Sequence, residues 1–148
     1  MSNVPIIAGT LQTDPRSGGQ TKKSGVNPLP DISETWEKIR DNNNNEVDWL
    51  IAGYIGGSKT DIGVIKKGTG GLEAAAKELP DGEPIFGGCR LNKKGRFVKF
   101  YYCSENTSGM KKGRAAMHKN GVLNVMEGCD GEVKILPDMT EDDIEKIY

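Results

Sequence analysis

The sequence predicts a single mixed α/β domain, an antiparallel sheet meander covered by helices. The 148 residues are a one-domain length that can close one hydrophobic core without metal or disulfide staples. Four runs of strand composition fall into two turn-linked pairs, Val47 to Ile55 with Asp61 to Lys66, and Pro84 to Leu91 with Arg96 to Ser104. Helix-forming segments precede, separate and follow these pairs, as in layered sheet-and-helix domains.

Residues 1–30 are rich in Ser, Gly, Thr, Asn and Pro, with one apolar cluster near Val4 to Ala8. Such a segment buries too little surface to offset its ordering entropy, so a flexible tail is expected there, with the domain at 31–148. Asp31 followed by Glu34 reads as a capping box for a short helix that carries Trp36 and Ile39 and ends at the Asn42 to Asn45 run. Gly56, Gly57 and Ser58 make the first hairpin turn. Next comes LEAAAKEL, a strong helix former stopped by Pro80, Asp81 and Gly82.

The turn Asn92 to Gly95 joins the second strand pair, and Gly87 and Gly88 inside it predict a bulge or a close backbone approach. Ser108 is placed to cap a long helix that runs toward Met126. Gly113 and Gly121 each weaken a helix interior by about 1 kcal/mol relative to Ala, so an irregular helix held by packing is expected. A short strand, Glu132 to Leu136, precedes a small helix from Thr140, whose Asp143 completes a second capping-box pattern.

The distribution of charge says more than its total of −1, which argues against a wholesale nucleic-acid binder. Lys93 to Lys119 holds eight Lys or Arg against one acid, whereas Glu127 to Tyr148 holds eight acids against two lysines. Three cysteines, Cys89, Cys103 and Cys129, lack metal-site spacing and leave an odd thiol, which fits small buried hydrophobes in a reduced, cytoplasmic protein. No apolar run approaches the roughly 20 residues needed to span a bilayer.

The segment SGMKKGRAAMHKNGVLNVM, Ser108 to Met126, is the most informative. Its first half gathers Lys111, Lys112, Arg114 and Lys119 around His118, while Val122, Leu123, Val125 and Met126 read as an anchor to the core. Lys111 and Arg114 share a helix face. With the turn carrying Lys93, Lys94 and Arg96, these cations form a candidate basic surface that would attract an acidic partner and weaken with salt. His118 has no carboxylate or cysteine at ligand spacing and reads as a surface contact, not a base or metal ligand. GTGG before the second helix invites a phosphate-cradle reading, but no GK[ST] follows it.

From Thr35 onward, over about three quarters of the chain, these residues resemble the actin-depolymerising-factor homology family, and its coactosin branch most. The carriers are IRDNNNNEVDWL, GTGGLEAAAKEL, RFVKFYYC and SGMKKGRAAMHKNGVLNVM. The resemblance implies a mixed, mostly antiparallel five- to six-stranded sheet flanked by helices, no enzymatic activity, no cofactor, and actin as partner, filamentous in preference to monomeric. It also implies a monomer at the actin cytoskeleton, phosphoinositides as a competing ligand of the basic patch, and no nucleic acid. The family's contact positions fall on Arg96, Lys111, Lys112, Arg114 and Lys119, each cationic here.

The departures are the tail preceding the domain, so no phosphorylation switch transfers to Ser2, and Gly113 in the contact helix. No partner-binding C-terminal extension is expected after the last helix. Three other readings stand beside this one. They are a cofilin-like binder of monomers and filaments with depolymerising activity, a module for anionic lipid or nucleic acid, and a phosphate-handling enzyme built on GTGG. The last lacks a placed acid–base pair.

Overall fold

In the computed structural model, residues 25–44, 46–91, 96–140 and 143 are described. The element order is β1 (Asn27–Pro28), α1 (Pro30–Arg40), β2 (Trp49–Tyr54), β3 (Asp61–Gly68), α2 (Gly71–Lys77), β4 (Ile85–Leu91), β5 (Arg96–Tyr102), α3 (Gly109–Leu123) and β6 (Gly131–Val133). The strands form one six-stranded sheet in the order β1-β3-β2-β4-β5-β6. The β2–β3, β2–β4 and β4–β5 pairs are antiparallel, and the two outermost pairs, β1–β3 and β5–β6, are parallel. The mixed, mostly antiparallel sheet that the resemblance implies is therefore what forms, but it is not the simple meander read from the residues, since β3 and β4 are not neighbours and α2 carries the chain past β2 between them.

Helices cover both faces. On one, α1 and α3 bury Ile32, Trp36, Ile39, Ala115, Val122, Leu123 and Met126 against Leu50, Ala52, Ile62 and Phe86. On the other, α2 and the segment after β6 bury Leu72, Ala76, Ile135 and Met139 against Trp49, Ile51, Ile85, Val98 and Phe100. Because β2 is covered on both sides, its residues read as a nearly continuous apolar run.

The fold begins earlier than Asp31. Val26 is buried, Asn27 and Pro28 pair with Asp61 and Ile62 of β3, and Pro30 occupies the first turn of α1. A composition-based reading misses this because two residues of edge pairing and one buried valine leave no periodic trace. Residues 1–24 of the expected tail, and the Asn92 to Gly95 turn, lie outside the described residues.

Asp31 does not cap α1. Leu29 is the N-cap, without a side-chain bond, and Pro30 at N1 has no N–H to satisfy. The Asp31 carboxylate instead accepts from the backbone N–H of Val64 at 3.3 Å, closing part of the β3 edge that β1 leaves open.

Gly87 and Gly88 answer the choice between bulge and close approach in favour of the latter. A Cβ on Gly87 would lie 2.4 Å from the Phe100 ring, and one on Gly88 would lie 2.5 Å from the Trp36 ring. The register shift in the sheet falls at Ile51/Ala52. Trp36, seated over Gly88, donates its indole N–H to the Glu127 carbonyl at 2.7 Å, tying α1 to the chain leaving α3.

The glycines of α3 do not interrupt it, since the helix is continuous over 15 residues. Ser108 is its N-cap and accepts from the Lys111 N–H at 3.2 Å. Of the small C-terminal helix, the described part is its capping contact, in which the Asp143 carboxylate accepts from the Thr140 N–H at 3.0 Å.

Candidate functional site

The sequence dictates which side of α3 meets solvent. Ala115, His118, Val122 and Leu123 are buried, and on the opposite side Met110, Gly113 and Met117 recur at i, i+3 and i+7. Met110 is 78% exposed and Met117 58%. Beyond the helix's own backbone, no atom of a described residue lies within 4 Å of where a Gly113 Cβ would sit. The helix thus presents an uncharged crest with two exposed methionines and a bare backbone between them. Sequence reasoning, which followed the charges, passed over this crest, although the i, i+3, i+7 spacing on the face opposite Val122 was its signal.

Cations flank the crest. On one side Lys111 and Arg114 line a cleft of about 450 Å³ shared with Tyr54 and Lys59, and Lys111 is ion-paired with Glu83. On the other side stand Lys112 and Lys119, the latter 2.6 Å from Glu132 and over the Tyr101 ring at 5.7 Å. Exposed ion pairs contribute at most about 1 kcal/mol each, so these contacts orient the ammonium groups and partly neutralise them. No carboxylate of a described residue pairs with Lys112 or Arg114.

Arg96 does not join this cluster. It starts β5, which ends at Tyr102, about 20 Å further on at 3.3 Å per residue. The long helix begins at the Tyr102 end and runs back, so that Asp130, beyond the helix, exchanges bonds with Phe97, its N–H to the Phe97 carbonyl at 2.7 Å and its carboxylate to the Phe97 N–H at 2.9 Å. Arg96 and the Lys111, Lys112 and Arg114 group therefore lie at opposite ends of β5, and Arg96, paired with Leu91 and in step with Val98 and Phe100, falls on the α2 face of the sheet and not on the face that α3 covers. Lys93 and Lys94 lie outside the described residues.

His118, expected at the surface, is 3% exposed. Its Nδ1 is 2.8 Å from the Tyr54 hydroxyl, and the rings are 5.9 Å apart. The reason is geometric, since position 118 falls one turn after Arg114 but rotated onto the face that meets β2. Burial pushes the Tyr54 pKa up, and the Arg114 charge pulls against it. The pair is a structural tie beneath the flank.

The GTGG turn is also accounted for. Gly70, at φ 103° before the seven-residue α2, gives its N–H to the Asp48 carboxylate at 3.1 Å. The anion at this helix start is the chain's own. Among the described residues no group of three or more His, Cys, Asp or Glu could hold a metal ion, and no helix is long and apolar enough to cross a membrane.

Known proteins bear on this arrangement. The family model for cofilin/tropomyosin-type actin-binding protein matches residues 25–147. The fold is similar to the crystal structure of coactosin from Entamoeba histolytica, with a TM-score of 0.71 and 23% identity over 83% of this chain and 94% of that one. It is equally similar to Streptomyces griseoflavus cofilin, with a TM-score of 0.71, 16% identity, and coverage of 84% and 100%. For human coactosin-like protein the TM-score is 0.67, at 20% identity over 79% of this chain and 92% of that one. Among curated proteins, the drebrin-like protein of Mus musculus is 31% identical over 86 residues, 55% of this chain. The match spans only 20% of that relative's length. Both the matched model and the fold agree with the resemblance read from the residues: the chain belongs to the family of cofilin/tropomyosin-type actin-binding proteins.

Proposed function

We propose that the protein binds the sides of actin filaments through the α3 crest, with Lys112 and Arg114 as its leading charged contacts and Lys111 and Lys119 as partners held in reserve by Glu83 and Glu132. The observation that carries this reading is the crest itself. Two exposed methionines flank a bare glycine on a helix capped, tied and anchored from below, with cations on both flanks. An apolar centre with a charged rim is the anatomy of a protein-docking surface, and methionine adapts to the shape it meets. Such a surface suits a binding protein of the cytoskeleton better than an enzyme.

The position of Arg96 favours filaments over monomers. Two basic points, Arg96 at one end of β5 and the start of α3 by the other end, on different faces of the sheet, suit a polymer that offers two subunits at once. The same points give a coactosin-type binder a way to hold filaments without requiring severing. Lys93 and Lys94 extend the Arg96 end in sequence.

Filament cosedimentation at low and physiological salt tests the proposal, alongside monomer binding by fluorescence. The wild type pellets with filaments, and less so as salt rises. Lys112→Glu weakens both modes of binding by about tenfold, whereas Arg96→Glu weakens the filament mode alone. Both variants keep their melting temperature within a few degrees. Absence of pelleting at low salt overturns the proposal, and equal loss of monomer and filament binding in Arg96→Glu overturns the filament preference.

A further inference from the structure

A second surface adjoins the crest on the side of α3 that carries Lys112 and Lys119. The β5–β6 ladder ends at Phe100↔Val133, while β5 continues to Tyr102. Beyond Val133 the chain alternates, with Ile135 and Met139 turned into the core and Lys134 and Leu136 outward. Leu136 is 47% exposed, which is unusual for a leucine this close to a sheet edge. Where the strand ends and the chain peels away, a groove of about 670 Å³ opens between α3 and the Glu132–Leu136 segment.

The chemistry of the groove is consistent along its length. Its floor is Tyr101, Tyr102 and Cys103, with Ala116, Ile135 and Leu136 as apolar walls. Lys112, Lys119 and Lys134 stand around it against one acid, Glu132, which is engaged with Lys119. No carboxylate of a described residue pairs with Lys134 or Lys112. The Tyr101 hydroxyl accepts from the Cys103 thiol at 3.1 Å, and burial, followed by that bond, raises its pKa, so the floor remains an uncharged phenol.

We propose that this groove at the end of β6 is a docking site for an extended acidic peptide segment of a partner protein, one that places carboxylates at Lys112 and Lys134 and an apolar side chain over Tyr102 and Leu136. Charge complementarity selects the acidic partner. The short edge strand selects the extended form, because a peptide laid beside β6 adds to the sheet while its alternate side chains reach the groove and solvent. A nucleic acid would need a wider basic track with exposed stacking aromatics, and a membrane would need a flat or convex surface in place of a groove. The site shares Lys112 with the proposed filament contact, but Lys134, Leu136 and the β5 floor lie off the Met110–Met117 face, and the variants that test it are confined to them.

Selection of a random peptide library on the full-length protein tests the site, followed by titration of the selected peptides and by amide chemical-shift mapping. The expected peptides combine Asp or Glu with Leu or an aromatic residue, and their shifts map to Tyr101–Cys103 and 132–136. Affinity falls about tenfold in Lys134→Glu and in Leu136→Asp, both at exposed positions, while filament pelleting is kept. A thermal melt establishes that each variant is folded. Failure to enrich acidic sequences overturns the proposal. So do peptides that map to the α3 crest, or that bind Lys134→Glu as tightly as the wild type.

Discussion

Tyr54 and His118 join β2 to the underside of the contact helix through a 2.8 Å hydrogen bond between phenol and imidazole, the imidazole buried and the phenol half-buried at the wall of the Lys111–Arg114 cleft. The bond lies beneath the flank that carries Arg114, so it bears on how the crest is held without touching a partner. Removing the hydroxyl in Tyr54→Phe leaves the imidazole nitrogen without this partner and costs about 1 kcal/mol. We expect a fall of about 3 °C in melting temperature with little change in filament affinity. A large loss of affinity at an unchanged melting temperature would place Tyr54 in the interface.

Glu83 restrains Lys111, so its removal should act in the direction opposite to the other charge changes. Glu83→Gln breaks an exposed ion pair, which alters stability by less than about 1 kcal/mol, and frees an ammonium group for the partner. Filament association should become faster, by about twofold at low salt, and the gain should vanish at high salt. Stopped-flow association rates measure it. A slower rate would mean that Glu83 itself contacts the partner.

The sheet core was legible in the sequence, and the surface only in part. Strand runs such as RFVKFYY and the helix former LEAAAKEL carry their structure in composition, because burial and propensity act residue by residue. β1 was missed, since its two residues are ordered by pairing with β3 and not by their own preferences. The capping role given to Asp31 failed for a related reason, as a carboxylate that caps a helix locally can equally reach a strand edge 33 residues away. The basic residues were found, yet their division into two ends of β5 depends on the direction in which α3 returns along the sheet. His118 shows the same limit, because exposure is decided by rotation of a helix against a neighbour that the sequence does not name.

Cys129 offers a pH-dependent readout of the packing behind α3. Burial raises the pKa of its thiol to about 11, outweighing the nearby Lys99 charge. The folded state holds the thiol proton more tightly than the unfolded state does. The associated stability is therefore present below the ordinary thiol value and is lost as pH rises through about 11. Alkylation of a Cys89→Ser, Cys103→Ser protein should follow a titration with its midpoint near that value. A midpoint near pH 8.5, that of an ordinary exposed thiol, would show that Cys129 is reached by solvent.

Gly113 separates the demands of the helix from those of the partner. Within α3 a glycine costs about 1 kcal/mol relative to alanine, and space for a methyl group is open, so Gly113→Ala should raise the melting temperature by about 3 °C. If the partner packs against bare backbone between Met110 and Met117, the same methyl group enters the interface, and affinity should fall by about tenfold although the protein is more stable. Met117→Ser, at an exposed position, should lower affinity similarly with no change in stability. A more stable Gly113→Ala protein with full affinity would show that the crest is approached only at its methionines. Loss of stability in Gly113→Ala would show instead that the position is crowded, and the crest would no longer be a free surface.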